Sequence, residues 1–245
     1  MRTWSGPAIA LAARRHGESD AVLEVLTPDR GRLAGLVYGG AGSRKRALLE
    51  PGSRLDAAWT ARAEDALGWF ERIEASGPGA AALLDDPAAL SAVQYVAAVL
   101  HDVLPERQGH PGLFAATGVL LDALAAGPEW PAVLVRWEMG LLAETGFGLD
   151  LSQCALTGTT QDLAFVSPRT GRAASAAAGA PYAGRLLRLP PFLADPAAPL
   201  ASGDIADGFA LTAHFLATHL MAPLRRDLPE ARDRLIIQLG RAQRM

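Results

Sequence analysis

The sequence predicts an α+β chain in which a small five-stranded barrel precedes a mainly helical module. Three observations carry this expectation. Residues 8 to 75 hold five short runs of β character separated by turn residues, segments rich in Ala and Leu follow from about Ala80, and Ser76-Gly77-Pro78-Gly79 breaks the chain between them. The expected division is therefore residues 1–78 and 79–245, with a polar, Gly-punctuated insert at 153–184 in the second module.

The β runs are Ala8 to Ala13, Ala21 to Leu26, Arg32 to Tyr38, Ser53 to Thr60 and Ala66 to Glu74. Arg15-His16-Gly17-Glu18-Ser19-Asp20 and Thr27-Pro28-Asp29-Arg30-Gly31 supply tight turns between the first three. Gly39-Gly40-Ala41-Gly42-Ser43 lacks the Lys-Ser/Thr ending of a phosphate-binding P-loop and reads as a flexible hairpin loop. Five closely spaced strands of this length suit the OB architecture, a Greek-key barrel that binds oligonucleotides in many unrelated proteins. In the second module the helical runs are Asp86 to Leu104, Gly112 to Ala126, Trp130 to Thr145, Ile205 to Ala222 and Leu228 to Gln238.

Composition narrows the function classes. Half the residues are hydrophobic and a fifth are charged, as in an ordinary folded protein, and the formal net charge of −3 gives no global cationic field. No run of about 18 apolar residues stands uninterrupted, and Met1 to Pro7 has no secretory h-region, so a cytoplasmic location without membrane association is expected. The five histidines, His16, His101, His110, His214 and His219, are scattered and in no spacing that supports a mechanism. The lone Cys154 has no neighbouring cation in sequence to activate it, so an enzyme is not expected.

The charge is unevenly distributed. Met1 to Arg54 holds nine basic residues against Glu18, Asp20, Glu24, Asp29 and Glu50, a local net charge of +4. Arg14, Arg15, Arg30, Arg32, Arg44, Lys45, Arg46 and Arg54 form a candidate phosphate track, with Glu18 and Asp20 expected to pair with Arg14 or Arg15 and fix the first turn. Of the aromatic residues in this module, Trp59, Trp69 and Phe70 are expected in the core and Tyr38 on the surface, where it could stack on a base.

Several segments, taken in order, resemble the RecO family of recombination mediators. They are Arg14 to Asp20, the hairpin Leu26-Thr27-Pro28-Asp29-Arg30-Gly31, Leu48-Leu49-Glu50-Pro51, Arg136 to Leu142 leading into Gly146-Phe147-Gly148-Leu149-Asp150-Leu151 and Cys154, Phe165 to Arg169, and His219-Leu220 with Pro223-Leu224-Arg225. The resemblance implies binding and annealing of single-stranded DNA, and loading of a RecA-type recombinase with RecR on strands coated with single-strand-binding protein, whose C-terminal tail it also engages. It implies repair activity at the nucleoid. Many members carry two Cys-x-x-Cys pairs in the insert, whereas Cys154-Ala155-Leu156-Thr157 keeps one sulfur, so the insert is expected to be a degenerate, metal-free zinc-finger-like element. Leu163, Phe165 and Tyr182 are expected to hold it by apolar packing, and no cofactor is expected. The competing reading is an adaptor of the recombination machinery that does not touch DNA.

Overall fold

The computed structural model describes residues 1–63, 66–79 and 83–242, with the side chains of Arg44 and Ala242 outside the described residues. The chain forms two compact units, Met1–Ala125 with Pro229–Met245, and Ala126–Leu228.

The first unit opens with five strands, β1 (Arg2–His16), β2 (Asp20–Thr27), β3 (Gly31–Val37), β4 (Arg54–Ala61) and β5 (Gly68–Ala75), closed as a barrel in the order β1-β2-β3-β5-β4. The strand count and order of elements match the OB-like expectation, but β1 is far longer than Ala8 to Ala13. Gly6 and Pro7 read as breakers in sequence, yet Arg2 to Ile9 pair with β4, and Ile9 to His16 pair with β2 across an irregularity at Ala10/Ala12. One strand thus serves two neighbours, and the change of partner is where a bulge bends it. Between β3 and β4, Ser43–Arg46 forms the short helix α1 and Ala47–Leu49 a 3-10 turn, so the segment after the glycines is helical rather than a plain hairpin loop.

Side-chain alternation fills the barrel. Ala21, Leu23 and Val25 of β2, Leu33 and Val37 of β3, Leu55, Ala57 and Trp59 of β4 and Phe70 of β5 all belong to one buried cluster. Trp59 sets the local geometry. Gly35 and Gly68 face each other across β3 and β5, and a Cβ on either would run into the Trp59 indole, whose Nε1 donates to the Ala34 carbonyl at 3.0 Å.

Three helices complete this unit: α2 (Pro87–Val103), α3 (Pro111–Ala126) and α8 (Glu230–Ala242). Asp86 caps α2, accepting from the backbone N–H groups of Ala88 and Ala89 at 2.9 and 3.0 Å, with Pro87 pre-set for the first turn. Arg232 of α8 lies over the ring of the buried Tyr95 at 5.8 Å.

In the second unit, α4 (Trp130–Glu144) packs on α7 (Asp204–Phe215), and the Thr212 hydroxyl donates to the fully buried Glu138 carboxylate. Between them β6 (Leu163–Val166), β7 (Ala173–Ser175) and β8 (Leu187–Arg188) form a sheet in the order β7-β6-β8, with short helices α5 (Ala176–Gly179) and α6 (Pro191–Ala194). A π-helical turn, Leu216–Met221, extends α7 and places His219 in a stack with Phe147 at 4.8 Å and Phe215 at 6.0 Å between ring centres. The insert is held by Val166, Ala173 and Cys154, all buried, and by Phe165 against Gly179, whereas Tyr182 is an exposed residue and does not contribute as expected. Among the described residues no three His, Cys, Asp or Glu side chains converge as a metal would require. The Cys154 thiol is lowered to about 6, first by a hydrogen bond from the Thr157 hydroxyl and then by one from the Ser175 backbone. Hydrogen-bond donors, which the sequence alone did not bring together, thus replace the cation whose absence argued for an ordinary thiol. Among the described residues no helix is long and apolar enough to cross a membrane.

The Gly35–Gly68 pair yields a direct test of the barrel. Gly68→Ala should lower stability by about 1–3 kcal/mol, because the Trp59 ring must leave its site. A urea midpoint equal to the wild type would contradict this packing.

Candidate nucleic-acid interface

Beyond Leu11, β1 has β2 as its strand partner but has left β4, and Ala12 to His16 are exposed one after another. This free edge lines a cleft of about 540 Å³ together with Ala21 and Gly40 and with Arg46, Leu49, Glu50 and Pro51. The edge is charged rather than apolar, which also discourages strand addition by another chain.

Alternation along β1 sends Arg14 and Arg15 to opposite faces, Arg14 beside Val22 and Arg15 beside Ala21. Arg15 donates from Nη2 to the Glu18 carbonyl at 2.8 Å, so the turn is fixed through the backbone rather than through the Glu18 carboxylate. Asp20 does not hold an arginine either: its Oδ1 accepts from the Gly39 N–H at 2.8 Å and from the Ser19 hydroxyl at 3.1 Å, and the Ala41 N–H reaches the Ser19 carbonyl at 2.9 Å. These bonds tie the glycine loop to the β1–β2 turn and bring α1 up to the free edge. Lys45 then donates to the Tyr38 carbonyl at 2.8 Å, tying its ammonium to the backbone of a residue that is 60% exposed.

Arg46 is loosely paired with Glu50 at 3.8 Å, and both side chains are largely in solvent. Such a pair contributes little and leaves the guanidinium available to an anion. The structure therefore groups Arg14, Arg15, Lys45 and Arg46 with Tyr38. The Arg44 side chain, though its backbone belongs to α1, lies outside the described residues.

The other three predicted cations do not join this group, and each has a physical reason. Arg30 sits on the Thr27–Gly31 turn at the far end of β2, about 23 Å along the strand from Asp20. Arg32 is 8% exposed, with Nε 3.1 Å from Glu24, though without hydrogen-bond alignment there, and Nη1 donating to the His101 carbonyl. Glu24 also meets His101 Nδ1 at 3.0 Å, so the cluster joins β2 and β3 to the end of α2. Arg54 reaches the Gly118 carbonyl at 2.5 Å and Asp122 at 2.8 Å, bracing β4 against α3. Arg32 and Arg54 are structural cations, because each is fixed by a carboxylate and by a helix distant in sequence, α2 for Arg32 and α3 for Arg54.

Trp59 and Phe70 are core residues as expected, but Trp69 is half-buried and points outward, since its neighbours Gly68 and Phe70 face the barrel interior. The alternation in Gly68-Trp69-Phe70 carries that signal, once one of the three is known to face the core.

The comparisons with known proteins cover nearly the whole chain. Residues 1–78 match the family described as Recombination protein O N terminal, and residues 84–227 match Recombination protein O C terminal. The chain is 52% identical over 238 residues to the DNA repair protein RecO of Phenylobacterium zucineum (strain HLK1), covering 97% of this chain and 98% of that protein. It is 46% identical over 242 residues to the DNA repair protein RecO of Caulobacter sp. (strain K31), covering 99% of each. Against the DNA repair protein RecO of Hyphomonas neptunium (strain ATCC 15444) the identity is 47% over 234 residues, with 95% and 96% covered.

The sorting of cations predicts how substitutions divide. Arg14→Ala, Arg15→Ala and Arg46→Ala should each leave thermal stability near wild type, whereas Arg32→Ala should destabilise by about 3–5 kcal/mol by taking the guanidinium from the nearly buried Glu24 and the donor from the His101 carbonyl. Calorimetry of the four variants checks this, and an unaffected Arg32→Ala would contradict the structural assignment.

Proposed function

The chain belongs to the RecO family, with a role in DNA repair and recombination, and on that premise we propose that it binds and anneals single-stranded DNA without covalent chemistry. The observation that supports this reading best is the meeting of Arg14, Arg15 and Arg46 around one cleft, with Lys45, the chain neighbour of Arg46, bonded to the backbone of the exposed Tyr38. A phosphate backbone would lie along the cations by counterion release, and a sequence-independent contact of this kind leaves base edges free to pair with a second strand. The protein would act in the cytoplasm at the nucleoid, engaging the C-terminal tail of single-strand-binding protein and RecR, and so opening strand for a RecA-type recombinase. The family premise supports those partners, and the cleft speaks only to the DNA.

With four cations in contact, log affinity for a single strand should fall with log salt at a slope of about −3. Labelled complementary strands, bare or coated with single-strand-binding protein, should anneal without nucleotide or metal and lose rate steeply as salt rises. The combined Arg14→Glu, Lys45→Glu and Arg46→Glu variant should lose binding and annealing while keeping its fold. Absence of binding by the wild type at low salt would favour a protein-only adaptor.

A further inference from the structure

The strand register aligns five residues in one row on the outer face of the barrel. Arg14 pairs with Val22, Val22 with Leu36, Leu36 with Trp69 and Trp69 with Thr60, crossing all five strands in turn. The residues flanking this row in β2 and β3, Ala21, Leu23 and Val37, are core, so Val22 and Leu36 face outward together with Trp69. At about 4.8 Å per strand Arg14 stands about 14 Å from Trp69 across the sheet, with the buried Val22 and the half-buried Leu36 between them. Beside it lies a second cleft of about 440 Å³, whose lining joins the free edge of β1 to Val22, Ala34 and Leu67, which is 52% exposed, and to Glu24, His101, Glu106 and Arg107. Arg14 lines this cleft as well as the one on the other side of β1.

We propose that this outer face is a base-stacking subsite, where nucleobases of the strand held at the basic cleft lie on Trp69, Leu36 and Leu67. The inference rests on the single-strand reading of the basic cleft and adds the groups that read the bases. Within this lining Val22 and Ala34 belong to the paired strands β2 and β3 and Leu67 lies just before β5, so what it offers is flat apolar side chains, the free edge of β1 standing at the border with Arg14. A flat ring tethered to a phosphate fits that surface, because Arg14 stands at its border with the basic cleft and Arg107 also lines it. Of the two carboxylates here, Glu24 is engaged by Arg32 and His101, and Glu106 lies 3.7 Å from Arg32. Bases in a duplex are already stacked on one another, so the subsite selects single strands.

The test measures anisotropy with a labelled thymidine oligonucleotide and with an abasic oligonucleotide of equal length. Trp69→Ala should weaken binding of the thymidine strand about 5- to 150-fold, leave the salt slope unchanged, and leave abasic binding at the wild-type level. Trp69→Phe should restore most of the affinity, and Leu67→Ala, at a solvent-exposed position, should weaken the thymidine strand alone by several-fold even where Trp69→Ala fails to fold. Wild-type affinity in both Trp69→Ala and Leu67→Ala, or equal wild-type affinity for the two oligonucleotides, would overturn the subsite while leaving the basic cleft intact. Failure of the wild type to bind either strand would overturn the single-strand reading on which the subsite depends.

Discussion

The change of partner along β1 is the constraint on which the candidate site depends. Arg2 to Ile9 close the barrel against β4, Ile9 to His16 pair with β2, and the irregularity between Ala10 and Ala12 separates the two registers. The second half of the strand is thereby released from β4 and presents Arg14 and Arg15 to opposite sides of a single free edge. A one-residue slip of β1 would exchange their faces and take Arg14 out of the row it forms with Val22, Leu36 and Trp69. The Trp59 ring, seated over Gly35 and Gly68, locks β3, β4 and β5 against such a slip.

A chain of net charge −3 can present a cationic site because its arginines divide by partner. Arg32 and Arg54 are held by Glu24 and Asp122 and join the barrel to α2 and α3. Arg14, Arg15 and Arg46 meet backbone carbonyls, loose exposed pairs or solvent, which leaves their fields directed outward. Local geometry thus decides which cations are available, and net charge does not.

Much of the fold was legible in the sequence because periodicity and turn residues are local signals. Five strands, the start of α2 near Asp86 and the helix ends near Ala126 and Glu144 follow from neighbours within a few positions. The N-terminal half of β1 was hidden, since Gly6 and Pro7 look like breakers until β4 arrives to pair with them. The same limit applies to the site: Arg14, Arg15, Lys45, Arg46 and Tyr38 lie near one another in sequence, whereas contacts that help remove Arg32 and Arg54 come from α2 and α3. Trp69 was misread for a related reason, because an aromatic on a strand has two faces available and only the seat of Trp59 over Gly68 fixes which one it takes.

Hydrogen–deuterium exchange with and without a single-stranded oligonucleotide tests the central claim most directly, since it maps contact without altering a residue. The account predicts slowed exchange in Ala12 to Arg15, Tyr38 to Arg46 and Gly68 to Phe70, with α4 and α7 unchanged. Protection confined to residues 126–228 would contradict it.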